Sequence, residues 1–434
     1  MRAIEQLRNA FKIKELRDRI FVTLGLLVIF RMGSHIPIPG VNPESIRQFA
    51  ESAQNQYSYF WSVLSILSGG AITMLGLFSL GIMPYITSSI ILSLLTKVHP
   101  ALEALSKEGP SGQRRISQYT RLLTLPIALL QSIMALKALP PDLFVEAGFF
   151  NDLLMVIALT SGALFVMWLS EQISEFGLGN GASMLIMAGI VGRMPVIAAE
   201  FYTEIQRNSD FASKVLIIVG LYLAMIVAIV FITQSQRRIP MQAAKHFRGR
   251  RVVSAGRNYL PLKINTAGVM PVIFASSLMV VPQLIAQIPG MDWLQGEFRS
   301  GRFLYGIFYV VTIFFFSYFW TYLFFQPVEM ANNLKEYGSF IPGIRPGENT
   351  ANYINFILSR ITFCGAAFLC FVALVPDVVS GVLGMDRWLV AFMGGTGILI
   401  VVGVCLDVLQ KMESYLLLHH YGGITGAGAM RGRR

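Results

Sequence analysis

The chain has 434 residues, 54% hydrophobic and 14% charged, with a mean hydropathy of +0.59. So few charges cannot coat a soluble globule, and lipid must cover much of the surface. The net charge of +11 is gathered in a few loops rather than along one face, which reads as membrane topology, not as a nucleic-acid footprint.

Ten apolar segments follow in chain order, at 20–33, 60–95, 119–139, 153–169, 183–199, 215–233, 268–286, 304–325, 361–375 and 389–409. Runs of about twenty unbroken apolar residues span ~30 Å of hydrocarbon as helix, whereas a membrane barrel would alternate in strands of about ten. The predicted fold class is therefore all-α, a polytopic membrane protein with ten transmembrane helices. The first segment has no small-residue cleavage site after it and reads as a retained span. Cys364, Cys370 and Cys405 fall inside apolar segments and are expected to be small buried apolar residues, not disulfides or ligands.

Alternate loops carry the basic residues: six Lys/Arg before the first span, five in 96–121, eight in 235–263, three in 326–360 and four after 410, 26 of 35 in all. The opposite side holds nine, against twelve acidic residues. This bias makes those loops and both termini cytoplasmic. Residues 60–95 must then cross an odd number of times, and their length fits one crossing with about sixteen residues over. The surplus is the weakly apolar part, with Ser62, Ser65, Ser68, Gly69 and Gly70, and it meets the stronger part at Gly81 and Pro84. A broken helix is expected, its stub lying inside a cavity, since irregular backbone at membrane depth survives only away from lipid. The external link at 200–214 leaves five spans on each side. The expected domains are an N-terminal half, 1–199, the link as hinge, and a C-terminal half, 215–434. An odd number of spans per half means that any internal repeat is inverted, with a path between the halves.

The chemistry that is missing narrows the function. No histidine lies near mid-membrane, no His-Glu-x-x-His and no phosphate-binding Gly-rich loop occurs, so no metal, nucleotide or other cofactor is expected and no catalysis. Ser183 has no buried base to activate it. Arg31, Lys137, Arg193 and Asp407 lie toward span ends, where snorkelling explains them. Few buried ionisable residues and large basic loops disfavour a secondary transporter of small solutes, the alternative reading, and an ion channel lacks its filter. Aliphatic side chains at depth offer instead a constriction that gates by dewetting and stretches around a large, varied substrate. The loop at 235–263, with eight Lys/Arg and no acid, and the turn-rich Ile341-Pro-Gly-Ile-Arg-Pro-Gly347 suit either headgroup contact or docking to an acidic or nucleic-acid-rich partner.

Several motifs, in order, closely resemble the bacterial SecY (SecY/Sec61 alpha) family of protein-translocation channels. They are Arg31-Met-Gly with Ile36-Pro-Ile-Pro-Gly40, Gly69-Gly70-Ala71, Leu80-Gly-Ile-Met-Pro-Tyr-Ile86, Gly177-Leu-Gly-Asn-Gly181, Leu260-Pro-Leu-Lys-Ile-Asn265, Ala267 to Ala275, and Phe340 to Gly347. The resemblance runs from the first span to about Gly395. It implies two inverted five-helix halves around a central hourglass pore, closed by a ring of Ile82, Ile86, Ile186, Ile273 and Ile400. A plug of Ser65, Ser68, Gly69, Gly70, Ala71, Ile72 and Thr73 would block it from outside, and Thr87, Gln131 and Asn265 would form the polar cluster of a lateral gate. Arg250, Arg251 and Arg345 would dock the SecA ATPase or the ribosome. Implied too are the small membrane subunits SecE and SecG, signal peptides and unfolded polypeptides as substrates, surrounding membrane lipids, and a place in the bacterial cytoplasmic membrane.

Overall fold

The computed structural model describes residues 13–42, 45, 71, 75–137, 143–144, 148–207, 209–243, 246–248, 251–253, 258–266, 268–279, 282, 303–384 and 395–426. Each long apolar run satisfies its own backbone polar groups by winding into helix, the arrangement that lipid requires. In chain order these are α1 (Lys14–Gly33), α2 (Met83–Val98), α3 (Pro100–Lys107), α4 (Pro110–Lys137), α5 (Phe149–Phe176), α6 (Gly181–Arg207) and α7 (Ser209–Gln234). They continue with α8 (Met270–Leu278), α9 (Phe303–Phe324), α10 (Pro327–Glu336), α11 (Glu348–Leu383) and α12 (Gly395–Gly426). Among the described residues seven helical stretches are long and apolar enough to cross a membrane, and α2 is a shorter apolar helix. The fold is an all-α, polytopic membrane fold.

The chain divides into two compact units, Met1–Arg207 with Val404–Arg434, and Asn208–Gly403. The boundary at 207/208 falls within the expected link, but that stretch is helical almost throughout, α6 running to Arg207 and α7 starting at Ser209. The helix α12 begins in the second unit and ends in the first, a division that no composition change announces.

In the first unit the expected break in the second apolar segment is present. Gly81 has a φ of +54°, a conformation open mainly to glycine, and Pro84 sits in the first turn of α2, where its missing N–H has no partner to lose. The preceding residues are pinned from the side: the Leu77 amide donates to the Ile36 carbonyl at 2.7 Å and the Ile38 amide to the Leu75 carbonyl at 3.0 Å. Of the predicted plug residues Ala71 is buried, whereas Ser65, Ser68, Gly69, Gly70, Ile72 and Thr73 lie outside the described residues. Close backbone approaches hold this unit together. A Cβ on Gly33 would strike the Phe78 ring, one on Gly76 the Ser34 carbonyl, and one on Gly162 the Leu77 carbonyl. Around them Ile38, Leu75, Leu80, Ala128, Met155 and Leu159 form a common core.

The second unit packs on large rings. Phe274 of α8 lies 5.2 Å from Phe316 and 5.4 Å from Trp320 of α9, centroid to centroid, and Phe314 lies 5.5 Å from Phe363 of α11. Its loops hold strands the sequence reading did not anticipate: β1 (Gln236–Ala243), β2 (His246–Arg248), β3 (Arg251–Val253), β4 (Asn258–Lys263) and β5 (Ser339–Phe340). The order is β4-β1-β5, antiparallel, with Ile239 opposite Leu260 and Arg237 opposite Leu262, while β2 pairs with β3. One sheet face supplies Ile239 and Leu262 to a core with Ile341, Ile354 and Leu358, and the other exposes Arg238, Tyr259, Pro261 and Lys263.

One expectation needs correction: only Cys370 is buried, while Cys364 and Cys405 are exposed on their helices. Arg31, near the end of α1, has a partner the sequence did not announce: its Nη2 donates to the Gly192 carbonyl in α6 at 2.9 Å. Pro195 sits in the next turn of α6, where its ring loosens the carbonyl ladder, and the missing side chain of Gly192 leaves room for the guanidinium.

Candidate functional site

The five isoleucines singled out as a ring are all buried, each exposed by 9% or less. Ile82 is the N-cap of α2, and the Ile86 amide bonds its carbonyl at 3.1 Å, so the two side chains, four residues apart, share one helix face. Ile186 lies five residues past the start of α6. That start is fixed by the Gly181 amide donating to Ser174 Oγ at 2.8 Å, while Asn180 Oδ1 accepts the Ser183 amide at 3.3 Å, a side-chain N-cap. These three belong to the first unit. In the second, Ile273 occupies the first turn of α8, its amide bonded to the Val269 carbonyl at 3.3 Å, and Ile400 lies in the second turn of α12. All five side chains are aliphatic, so they can exclude water but can neither bind ions nor move protons.

Asp407 pairs with Lys411 at 3.4 Å on the exposed side of α12, Lys137 is exposed, and Arg31 is occupied as described above. In the short helix α3 the Lys107 hydrogen bond, 2.8 Å long, holds the Glu103 carboxyl below its ordinary range.

The three residues predicted for a lateral gate fall on separate elements. Thr87, half-buried on α2, donates its hydroxyl to the Met83 carbonyl at 2.9 Å. Gln131 is half-buried on α4, beside Ser132, whose Oγ lies 3.1 Å from Thr160 Oγ1 of α5. Asn265 precedes α8 in the second unit, where Gly365 of α11 lets the backbone of Ile264 and Asn265 come close, and its neighbour Thr266 lies 3.2 Å from Thr321, oxygen to oxygen.

Of the docking residues, Arg345 is exposed in a turn stiffened by Pro342 and Pro346, and its carbonyl accepts the Thr350 hydroxyl at 3.0 Å. Gly343 and Gly347, with φ of +84° and +105°, allow that turn. Arg250 lies outside the described residues; Arg251 pairs with Arg248 across β2 and β3 through its backbone, and its side chain lies outside them too. The sheet that carries this region had a legible signal, the alternation of Ile239 and Met241 with Arg238 and Pro240, and of Leu260 with Leu262.

Comparison with known proteins extends these observations. The model of the SecY family matches residues 76–409. The protein translocase subunit SecY of Thermotoga maritima is 40% identical over 98% of this chain and 99% of its own. That of Escherichia coli K12 is also 40% identical, over 96% of each. Among solved structures, a protein-conducting channel aligns with a TM-score of 0.64 at 18% identity, covering 95% of each chain. Sec61 from the canine ribosome-channel complex aligns with a TM-score of 0.61 at 17% identity, again over 95% of each.

Proposed function

This chain belongs to the SecY family and is a protein-conducting channel subunit of a translocase. We propose that it carries unfolded secretory proteins across the bacterial cytoplasmic membrane and releases membrane-protein helices sideways into it, with both termini in the cytoplasm. A secondary transporter of small solutes has no support from these relatives. The observation that carries the reading is the match to translocase subunits along nearly the whole chain.

In this proposal the channel is passive. A signal peptide enters at a lateral gate that includes Thr87, Gln131 and Asn265, partitioning its apolar face into lipid. The halves 1–199 and 215–434 separate about the 200–214 hinge, the segment from Ser65 to Thr73 moves aside as a plug, and the polypeptide passes Ile82, Ile86, Ile186, Ile273 and Ile400. Supporting the ring is the burial of all five isoleucines. Supporting the plug assignment are the break at Gly81 and the burial of Ala71.

The sequence holds no Gly-x-x-x-x-Gly-Lys-Ser/Thr motif, and in this proposal force comes from outside, from SecA with ATP or from elongation on the ribosome. Arg250, Arg251 and Arg345 are the proposed docking residues, and the exposed, turn-stiffened position of Arg345 supports this. SecE and SecG are the proposed membrane partners. The test is reconstitution of the chain with SecE and SecG in proteoliposomes, with SecA and ATP added outside. Protease-protected precursor is expected inside only when ATP is present and the signal sequence is intact; protection without this chain, or none with it, contradicts the proposal.

A further inference from the structure

The Gly177–Gly181 turn has so far only ended α5 and begun α6, yet it is tied on three sides, all within the first unit. The Leu178 amide donates to Thr23 Oγ1 of α1 at 2.9 Å. One turn earlier on α1, Arg19 Nη1 lies 3.3 Å from the Gly177 carbonyl and 3.5 Å from that of Glu175, and its guanidinium stands 5.4 Å over the Tyr415 ring of α12. The Leu178 side chain is buried with Leu16 and Met412. Gly179 has a φ of +98°, and a Cβ there would stand 3.4 Å from Val408. Further along, Met187 Sδ of α6 lies 3.8 Å from Cys405 Sγ of α12. The seam thus follows α12 from Cys405 to Tyr415, ten residues or about 15 Å of helix.

Arg19 suits this junction. The last carbonyls of α5 carry the partial negative charge of a helix C-terminus, and Arg19 reaches two of them through Nη1 while its guanidinium carbon stands near the Tyr415 ring, a cation–π contact made more often by arginine than by lysine. Ile186 directly precedes Met187. We infer that Arg19 and the Gly177–Gly181 turn lock α6 to the Cys405–Tyr415 stretch of α12, so that this stretch stays with α6 and Ile186 when the two halves separate. Arg19 is then a positioning residue for the constriction, a role that rests on the channel reading above.

One experiment tests the coupling directly. Met187→Cys is combined with native Cys405 in a chain carrying Cys364→Ala and Cys370→Ala, and copper phenanthroline oxidises the pair to a disulfide. The disulfide is expected to form, and the bridged channel to translocate precursor at the rate of the reduced one. Failure to bridge, or a block that reductant relieves, overturns the inference; a parent channel that conducts no precursor counts against the channel reading itself. In the otherwise unaltered chain, Arg19→Ala is expected to raise export of a reporter with a shortened signal core about tenfold, the size of shift that one lost charged hydrogen bond makes in an opening equilibrium. Arg19→Lys should recover stringency only in part. Export as stringent as in the parent for Arg19→Ala, or full recovery with Lys, overturns the positioning role.

Discussion

Both units use close glycine approaches and stacked rings among the described residues, but each leans on one kind more than the other. In the first, glycines bring backbone onto backbone, Gly76 onto Ser34, Gly162 onto Leu77 and Gly181 onto Ser170, each with no room for a Cβ. In the second, rings carry the packing, Phe274 with Phe316 and Trp320, Phe314 with Phe363, and Trp320 stacked 5.4 Å from Phe324. Backbone contacts have fixed positions and tolerate no added atom, whereas ring contacts are broad and adjust by sliding. A channel part that must keep a constriction aligned benefits from the first kind, and one that must accommodate varied substrates benefits from the second.

Several variants would break or sharpen that contrast. The largest effect is expected from Gly162→Val, which drives a branched side chain into the Leu77 carbonyl. It should cost about 3 kcal/mol or more, seen as loss of the protein from membranes. Full accumulation would mean that the first unit is not backbone-locked. On the second unit's exposed surface, Arg345→Glu should leave accumulation intact yet lower SecA-driven export about thirtyfold, the scale of reversing one charge in a buried or rim contact, about 2 kcal/mol. Normal motor-driven export would remove Arg345 from docking.

A smaller effect is expected from Ile400→Asn, a polar amide in the constriction. Export of a reporter with a weak signal should rise about fivefold, a shift of about 1 kcal/mol in the opening equilibrium, and unaltered stringency would move the ring elsewhere. The smallest belongs to Ser317→Ala on α9. The Ser317 hydroxyl is buried and makes no hydrogen bond among the described residues, so its removal should leave the thermal midpoint unchanged or raise it, within about 1 kcal/mol. A drop well beyond that would show that the ring-packed unit is as exacting as the glycine-packed one.

Much of this was legible in the sequence, and the reasons differ by residue. Unbroken apolar runs have few ways to exist in lipid other than as helix, so the spans could be read from length alone, and Gly81 with Pro84 marked the break because glycine and proline each restrict what the backbone can do there. The sheet around Ile239 was not read, since Pro240 and Pro261 argue against strands. Both prolines are tolerated because β4 is an edge strand and β5 pairs with β1 only at Gln242 and Ala243. Arg31 was read from its position near a span end, yet its partner, Gly192, is 161 residues away. The clamp of Arg19 on Gly177 is equally remote in sequence, and nothing in a single chain's residue order announces such a pairing.

The central claim is that a translocating polypeptide passes the five isoleucines. A precursor stalled in transit by a folded C-terminal domain, in channels carrying a photoreactive residue at Ile86, Ile186, Ile273 or Ile400, measures this directly. Leu122 and Val227, both exposed on the outer faces of their helices, serve as controls. Adducts to the stalled chain at all four ring positions and at neither control are the expected result; adducts at the controls, or none at the ring, would contradict the account.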